Sequence, residues 1–234
     1  MPVVTMSGNL GSGAREVGQA AGQALGIDFV DQQLLVEAAR RANVPLQCVV
    51  DRDERSAGLR ERLSGVLQNF LERSAVSGAD PLTGAVGLEA LLSRTYAELA
   101  AEREEPQLSD TVYIKTMTAI IEELAGRGNI VILGRGSQMI LRGLPGALHV
   151  LCVAPPALCS QRLAERENIG LDEASRRVAD SGRARVGFHR KFWKAEVDSP
   201  ALYDLVINTE RVLFETAAEL VAAAVRAKEA AAQG

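Results

Sequence analysis

The stretch VVTMSGNLGSGARE, residues 3–16, joins a short apolar run to a glycine-rich turn and then to a helical segment. A strand, a glycine turn and a helix in this order bring backbone N–H groups and the positive end of a helix dipole together, which favours phosphate binding. Gly8 and Gly13 have the spacing of the outer glycines in the phosphate-binding pattern G-x-x-x-x-G-K-[ST]. Ala14 stands at its lysine position and Arg15 at its hydroxyl position, so the pattern is incomplete.

Two other interpretations of this turn are open on the residues alone. One is an ordinary glycine-rich connection between a strand and a helix, without a ligand. The other is a dinucleotide-binding turn, since Gly11 and Gly13 begin a G-x-G-x-x-G pattern and Asp31 follows about 20 residues later, where an acid would hold the ribose. Glu16 occupies the third glycine position of that pattern and weakens this interpretation.

Five short apolar runs predict strands that are buried on both faces. Several are rich in β-branched residues and lack strict alternation, which is typical of parallel sheets covered on both sides. The runs are residues 3–6, 27–30, 130–133, 149–153 and 205–207. Helical segments separate them, at 13–25, at 111–125 and after Pro155-Pro156. This alternation predicts an α/β fold: a three-layer α/β/α sandwich with a five-stranded parallel sheet and right-handed crossovers.

The interval between the second and third predicted strands is too long for one crossover. It holds two amphipathic helical stretches, at 59–71 and 88–99, and we interpret residues 45–108 as a helical insertion into a single domain that covers residues 1–234. The two stretches are also the predicted interface of a homodimer, because small subdomains often bury spare apolar faces against a second subunit. The alanine-rich segment 223–234 predicts a carboxy-terminal helix that frays.

Composition excludes several classes of protein. The 234 residues are 47% hydrophobic and 24% charged, as in an ordinary folded protein, so disorder and a disulfide scaffold are excluded. Only 4% are aromatic and the net charge is −4, which argues against base stacking on single strands and against an electrostatic DNA surface. Two histidines exclude a histidine-rich metal site, and three cysteines without CxxC spacing resemble reduced thiols. No leader peptide or bilayer-spanning run is evident, so we expect a cytoplasmic protein without membrane or nucleic-acid partners.

A strongly basic segment at residues 176–194 contrasts with the acidic balance of the whole chain. We interpret it as a helical hairpin that forms a mobile lid, about residues 170–196, with Gly182 and Gly187 as hinges. So many like charges repel one another unless an anion joins them, which favours a phosphate ligand over a solvated basic face. The basic residues are Arg176, Arg177, Arg183, Arg185, Arg190, Lys191 and Lys194.

Six segments in the same order resemble the cytidylate kinase-like family, a branch of the P-loop nucleoside monophosphate kinases. Residues 11–16, GSGARE, resemble its variant phosphate-binding loop of the GSGGRE type. GIDFVD at 26–31 resembles the family's second strand with a closing acid, and VILGRG at 131–136 resembles its strand and turn around an arginine. Residues 149–155 resemble its fourth strand, DSGR at 180–183 resembles its D-x-x-R lid motif, and YDLVINT at 203–209 resembles its closing strand.

This resemblance implies an ATP-dependent enzyme that moves the γ-phosphate to a nucleoside monophosphate such as CMP or dCMP. Arg162 would stack on the adenine. Because position 15 lacks the hydroxyl that usually binds Mg²⁺ directly, we expect the ion to be held through water by Asp31. The family places the ATP phosphates on the backbone of its glycine loop, here Gly8, Gly11, Ser12, Gly13 and Ala14.

The resemblance also implies catalytic roles for charged residues. Asp31 and Arg135 would lie at the carboxyl ends of strands beside the acceptor phosphate. Arg183 and Arg190 would neutralise the migrating charge. Arg15 would reach the phosphates from another angle or hold the acceptor. The residues alone also allow structural roles, such as an ion pair for Arg15 and a helix cap for Asp31.

A second function is open, that of a nucleotide-binding regulator which keeps the kinase fold but has little or no activity. Ala14 favours this hypothesis, because the lysine it replaces normally reaches the transferred phosphate. The basic segment 176–194 favours the kinase, because a protein that only binds nucleotides does not need so many arginines near the phosphates.

Overall fold

Strands and helices alternate along residues 1–31 and 110–231, which are the residues that the computed structural model describes. The strands are β1 (Val3–Gly8), β2 (Asp28–Val30), β3 (Ile130–Leu133), β4 (Leu148–Val153) and β5 (Leu205–Asn208). The helices are α1 (Ala14–Leu25), α2 (Asp110–Arg127), α3 (Ser137–Ile140), α4 (Pro156–Glu167), α5 (Leu171–Trp193) and α6 (Phe214–Ala231). A short 3₁₀ turn, Pro200–Leu202, precedes β5.

The five strands form one parallel sheet in the order β2-β3-β1-β4-β5, which confirms the predicted α/β architecture. Strand β1 is central, with Thr5 opposite Ile132 of β3 and His149 of β4. The chain leaves β1 toward β2 on one side, while β4 and β5 lie on the other. The carboxyl end of β1 is therefore a topological switch point, which is where open α/β sheets bind ligands.

Helices cover both faces of the sheet because side chains alternate along each strand. Val4 and Met6 of β1 point to the face on which α1 and α6 pack, and this core is made of aliphatic residues, as the low aromatic content requires. Side chains of α2 are buried on the opposite side, and α2 contacts β3. The α2 residues that are at most 2% exposed are Met117, Ile120, Ile121 and Leu124.

The two cysteines of the described residues behave as small buried apolar side chains. Cys152 of β4 and Cys159 of α4 are both free thiols that are 1% exposed. Burial raises the pKa of the Cys152 thiol to about 12, so this thiol stays protonated at neutral pH. The prediction that Cys152 packs as a hydrophobic residue is confirmed.

The basic segment forms one continuous helix, so the predicted helical hairpin is wrong. Helix α5 runs for 23 residues and includes both predicted hinges, Gly182 and Gly187. Gly182 has a packing role, because a Cβ there would lie 3.2 Å from the Nδ2 atom of Asn9, which directly follows β1. Glycine therefore lets α5 approach the end of β1 closely, and it does not break the helix.

Several predictions lie outside the described residues. These are the helical insertion at 45–108 with its stretches at 59–71 and 88–99, the homodimer interface assigned to those stretches, and the last residues of the fraying segment 223–234. Within the described part of that segment, α6 continues to Ala231. None of the helices in the described ranges combines the length and the apolar character that a bilayer-spanning helix requires.

Candidate phosphate-binding site at the carboxyl edge of the sheet

The turn between β1 and α1 is packed so closely that three positions accept only glycine. Gly11 and Gly13 have positive φ angles of 79° and 82°, a region that other residues rarely adopt. A Cβ on Gly11 would lie 2.3 Å from the Cys159 carbonyl oxygen, and one on Gly13 would lie 2.4 Å from the Phe214 ring. A Cβ on Gly8 would lie 2.2 Å from Ser12 Oγ. We name residues 8–13 the glycine loop.

The glycine loop leads directly into the amino end of α1. Gly13 is the N-cap residue and supplies no side chain to hold the first-turn N–H groups. The first N–H groups of a helix have no partner inside the helix, and the helix dipole makes this end positive. The predicted arrangement of strand, glycine turn and helix is therefore present and can accept an anion through its backbone.

Ser12 and Ala14 turn their side chains inward. Ser12 is 1% exposed, and its Oγ has no hydrogen-bond partner within the described residues. Ala14 is 5% exposed and packs in the core between the sheet, α1 and α6. Because both side chains are enclosed, neither is available to a ligand at the surface of the loop. The Ser12 N–H donates a 2.9 Å hydrogen bond to the Asn9 carbonyl oxygen, so contact of the Ser12 and Ala14 backbone with phosphate stays a prediction.

Arg162 clamps the glycine loop through Thr209, a residue to which the sequence analysis gave no separate role. The guanidinium donates hydrogen bonds of 2.9 and 2.8 Å to Thr209 Oγ1 and to the Thr209 carbonyl oxygen. The Thr209 hydroxyl in turn donates a 2.7 Å hydrogen bond to the Ser12 carbonyl oxygen. The guanidinium also lies 4.8 Å from the centre of the Phe214 ring, which itself touches Gly13. The observed contacts of Arg162 are thus with the protein, while adenine stacking stays a prediction.

Arg15 and Asp31 form an ion pair beside the amino end of α1. The Arg15 Nη2 atom lies 2.7 Å from Asp31 Oδ2, and the side chains are 42% and 5% exposed, respectively. Asp31 follows β2, so its carboxylate is buried at the carboxyl edge of the sheet and Arg15 lies on its outer side. The ion pair that the residues allowed for Arg15 is present.

The described residues do not fit a magnesium ion bound directly at this point. A guanidinium has no lone pair to give to a metal, and it already contacts the one carboxylate that β2 carries to this edge. No group of three or more His, Cys, Asp or Glu side chains in residues 1–31 and 110–231 is arranged to hold a metal ion. Direct binding of magnesium by Asp31 therefore conflicts with its pairing to Arg15, while the predicted contact through water stays a prediction.

Arg135 lies in a strained turn directly after β3. Gly134, Arg135 and Gly136 have φ angles of 76°, 56° and 71°, so three successive residues are left-handed. A residue other than glycine costs about 1–2 kcal/mol in this conformation. A Cβ on Gly136 would lie 2.3 Å from the Trp193 ring, so the turn packs against the end of α5. The turn places the half-buried Arg135 at the carboxyl edge of the sheet, where the sequence predicted it.

A cavity of about 520 Å³ joins the glycine loop to α4 and α5. Asn9 of the loop lines one side, and Arg183 and Arg190 of α5 line another. Arg183 also pairs with the neighbouring carboxylate of Asp180, and both side chains are largely exposed. The cavity therefore places two predicted arginines beside Asn9 of the glycine loop, while the residues predicted to hold phosphate are not among those that line it.

A model of the cytidylate kinase-like family matches residues 3–211, which include every described strand of the sheet. The chain belongs to the cytidylate kinase-like family. Its relatives include the cytidylate kinase of Methanocaldococcus jannaschii, 29% identical over 105 residues that cover 44% of this chain and 59% of the relative. The cytidylate kinase of Pyrococcus horikoshii is 28% identical over 103 residues, which cover 44% and 53% of the two chains. The chain thus spans between half and three-fifths of the length of these relatives.

This family member is also similar in fold to a protein of solved structure. An uncharacterized protein from Eubacterium ventriosum superposes with a TM-score of 0.62, covering 96% of this chain and 98% of that protein. The two sequences are only 15% identical, so the likeness concerns the fold alone.

In this cytidylate kinase-like protein, a buried polar network lies behind the glycine loop. His189 of α5 is 3% exposed; its Nδ1 donates to the Arg185 carbonyl oxygen, so its Nε2 accepts from Gln138 Nε2 at 2.8 Å. The Gln138 amide also donates to the Tyr203 hydroxyl, which lies 3.2 Å from Ser7 Oγ at the end of β1. Burial lowers the pKa of His189 and thus favours its neutral form. We name Ser7, Gln138, His189 and Tyr203 the buried network.

Arg185 adds positive charge beside the buried network. Its Nη2 pairs with Asp198, while its Nε and Nη1 are buried without a hydrogen-bond partner in the described part of the chain. In the sequence, Arg185 is one of many basic residues at 176–194, and no local pattern distinguishes it from the others. Its inward direction on α5 follows from the same one-turn spacing that places His189 inside.

Proposed function

We propose that this protein is an ATP-dependent phosphotransferase that moves the γ-phosphate of ATP to a nucleoside monophosphate, with CMP and dCMP as the expected acceptors. One observation carries the proposal: Asn9 of the glycine loop and the arginines Arg183 and Arg190 of α5 line one cavity. Membership of the cytidylate kinase-like family supports the choice of nucleotides over other phosphorylated substrates.

The donor phosphates would be held by the backbone of the glycine loop. Gly11 and Gly13 supply the left-handed backbone that the turn requires, and the dipole of α1 stabilises negative charge at its amino end. Backbone binding of the phosphates does not need the side chains of Ser12 and Ala14, which are buried, or any side chain at the closely packed Gly8. The absence of a lysine at position 14 then leaves charge neutralisation to arginines.

The transferred phosphoryl group would be stabilised by arginine side chains. Phosphoryl transfer needs two substrates held in line and positive charge on the equatorial oxygens, and little covalent help. Arg183 and Arg190 reach the cavity from α5, while the strained turn presents Arg135 from β3. We assign Arg135 to the acceptor phosphate, because guanidinium groups bind phosphate oxygens in pairs. Arg15, at the amino end of α1, would add a further positive charge beside the phosphates.

A nucleotide-binding regulator without efficient turnover is the second candidate. The observation that favours it is the burial of Ala14 in the core, which leaves the lysine position of the phosphate-binding pattern without a charge. Arg15 does not fill that position, because it lies about 100° further around the helix and contacts Asp31.

A phosphotransfer assay with ATP and Mg²⁺ across the common nucleoside monophosphates separates the two candidates. The kinase predicts formation of ADP and a nucleoside diphosphate, fastest with a cytosine base. Binding of ATP without turnover on any acceptor would support the regulator and contradict the kinase. Thermal stabilisation by NAD and not by ATP would instead support the dinucleotide interpretation of the glycine loop.

A further inference from the structure

The ion pair of Arg15 and Asp31 occupies the place where a kinase of this general type would bind a metal ion. Arg15 is the second residue of α1, directly beside the backbone N–H groups that would hold phosphate. In the general phosphate-binding pattern this position carries a serine or threonine hydroxyl that binds Mg²⁺. Here the side chain is a guanidinium, and its Nη2 lies 2.7 Å from the carboxylate of Asp31.

We propose that the Arg15 guanidinium, oriented by Asp31, takes over the role of a protein-bound metal ion at the donor phosphates. This inference rests on the proposed function, since it concerns the donor nucleotide of the phosphotransfer. The protein then binds the triphosphate through a charge that is part of the chain, and divalent cations contribute little to the affinity.

The unequal burial of Arg15 and Asp31 orients the ion pair so that the guanidinium lies on its outer side. The Asp31 side chain is 5% exposed and the Arg15 side chain is 42% exposed, so the carboxylate lies inside and the guanidinium faces outward. A guanidinium has five N–H groups in a fixed plane, and a carboxylate that binds one edge leaves the other edge for further acceptors. The outer edge can therefore donate to phosphate oxygens while Asp31 fixes the orientation of the group.

The same geometry opposes a metal ion at this point. A divalent cation that used Asp31 would either displace Arg15 from a buried carboxylate or lie next to a guanidinium of the same charge sign. Arg15 cannot lose its proton to relieve this repulsion, because arginine stays protonated in proteins. The residue that removes the metal-binding hydroxyl thus also supplies the positive charge that replaces the metal.

The test measures the dissociation constant of a non-hydrolysable β,γ-imido analogue of ATP, once with excess Mg²⁺ and once with excess EDTA. For the wild-type protein we expect the two constants to agree within about threefold, since the charged hydrogen bonds of Arg15 do not depend on the metal. In the Arg15→Ser variant, which restores a hydroxyl at this position, we expect binding in EDTA to weaken by about tenfold or more and to recover when Mg²⁺ is added.

Arg166→Ser is the matched control, because it removes the same charge from an exposed arginine. Arg166 pairs with Glu16 at 3.4 Å and with Glu167 at 3.2 Å, and it does not line the cavity. We expect this variant to bind the analogue as the wild type does, in Mg²⁺ and in EDTA alike. A change that Arg166→Ser shares with Arg15→Ser would reflect net charge alone and overturn the specific role of Arg15.

The wild-type comparison needs no variant and decides the inference even if Arg15→Ser does not fold. A loss of about tenfold or more in wild-type affinity on removal of Mg²⁺ overturns the inference. If the protein still phosphorylates CMP in Mg²⁺ under that outcome, the proposed function stands and only the role of Arg15 falls. Absence of analogue binding in both conditions overturns the proposed function together with the inference.

Discussion

Single residues in the glycine loop show how geometry and chemistry are linked at the candidate site. Gly13 has a left-handed φ and lies against Phe214, while the Arg162 guanidinium lies over the same ring and donates hydrogen bonds to Thr209. Gly13 thus ends the glycine loop, caps the amino end of α1 and contacts Phe214, the ring over which Arg162 lies. Substitution at this point tests whether the loop conformation is needed for nucleotide binding.

Gly13→Ala is expected to destabilise the protein and abolish ATP binding. The new Cβ would lie 2.4 Å from the Phe214 ring at a φ of 82°, which costs about 1–3 kcal/mol of unfolding free energy. Denaturant unfolding and calorimetric ATP titration measure the two effects. Gly126→Ala is the control, since a Cβ there meets nothing within 4 Å in α2 and should raise stability by up to about 1 kcal/mol. Normal ATP affinity in a folded Gly13→Ala protein would contradict the role of the loop.

Arg183→Ala is expected to reduce turnover far more than stability. The Arg183 side chain is 74% exposed, and its ion pair within the described residues is with its helix neighbour Asp180. Its loss should therefore cost less than about 1 kcal/mol of unfolding free energy. Loss of a charge that stabilises the transition state should lower kcat by about 100- to 1000-fold. Steady-state kinetics and thermal unfolding provide the measurements.

The control for this arginine lies on the same helix. Arg177 pairs with Glu167 and Glu173 and does not line the cavity, so Arg177→Ala should leave kcat unchanged. Equal losses of turnover and stability in Arg183→Ala would identify Arg183 as a structural residue.

At the level of elements, the end of β5 is tied to the glycine loop although the two lie far apart in the sequence. Thr209 receives two hydrogen bonds from Arg162 of α4 and donates one to Ser12. The hydroxyl and carbonyl groups of Thr209 therefore connect α4, the end of β5 and the glycine loop. The motif YDLVINT ends at this threonine, which is the one signal in the sequence that marked the position.

Thr209→Val is expected to weaken nucleotide binding and to lower stability. The variant keeps the shape of the side chain but leaves the Ser12 carbonyl and an Arg162 N–H group without their partner, at a cost of about 1–3 kcal/mol. Thermal unfolding and ATP titration test both effects, with the exposed Thr216→Val as the control. A stability loss with unaltered ATP affinity would show that the clamp does not position the loop.

Helix α5 carries the arginines of the cavity and is anchored to the sheet by the neutral ring of His189. Burial lowers the pKa of His189, and the positive charge of Arg185 adds to this, against the opposing effects of the Arg185 carbonyl and Asp198. Burial also lowers the pKa of His149, the other histidine of the chain. Both rings are therefore favoured in the neutral form in the folded protein.

The free energy of unfolding is expected to be lower at pH 5.5 than at pH 7.5. A histidine with a lowered pKa in the fold contributes stability that is complete above its ordinary value of 6.5 and is lost as the pH falls through the lowered value. Urea unfolding at the two pH values measures the difference. Replacing His189 by Gln should make the difference smaller, and an unchanged difference when both histidines are replaced would contradict this account.

At the scale of the whole molecule, local patterns predicted the sheet and the glycine loop because strands and turns are encoded by neighbouring residues. The runs around Val4, Ile132 and Val150 became strands of the predicted sheet. The predicted hairpin was wrong because Gly182 was interpreted as a hinge, whereas it lies inside α5 and allows a close approach to Asn9. That role depends on a contact that no local pattern contains.

The side-chain contacts of the site were less accessible to sequence reasoning than its backbone. Arg162 and Thr209 are separated by 47 positions, and Tyr203 and Ser7 by 196 positions, so these pairs arise only from the packed fold. An ion pair of Arg15 was one of several alternatives, and the fold identifies its partner as Asp31, while contact of Arg15 with phosphate stays a prediction. The predicted insertion at 45–108 lies outside the described residues and stays a prediction.

The central claim is that the glycine loop and the arginines of α5 form one phosphotransfer site. The most direct measurement follows ATP and CMP by ³¹P NMR in the presence of the wild-type protein, Arg183→Ala and Arg177→Ala. The account predicts ADP and CDP with the wild type and Arg177→Ala, and a rate lower by about 100-fold or more with Arg183→Ala. Binding of ATP without formation of a nucleoside diphosphate from CMP or any other nucleoside monophosphate would contradict it.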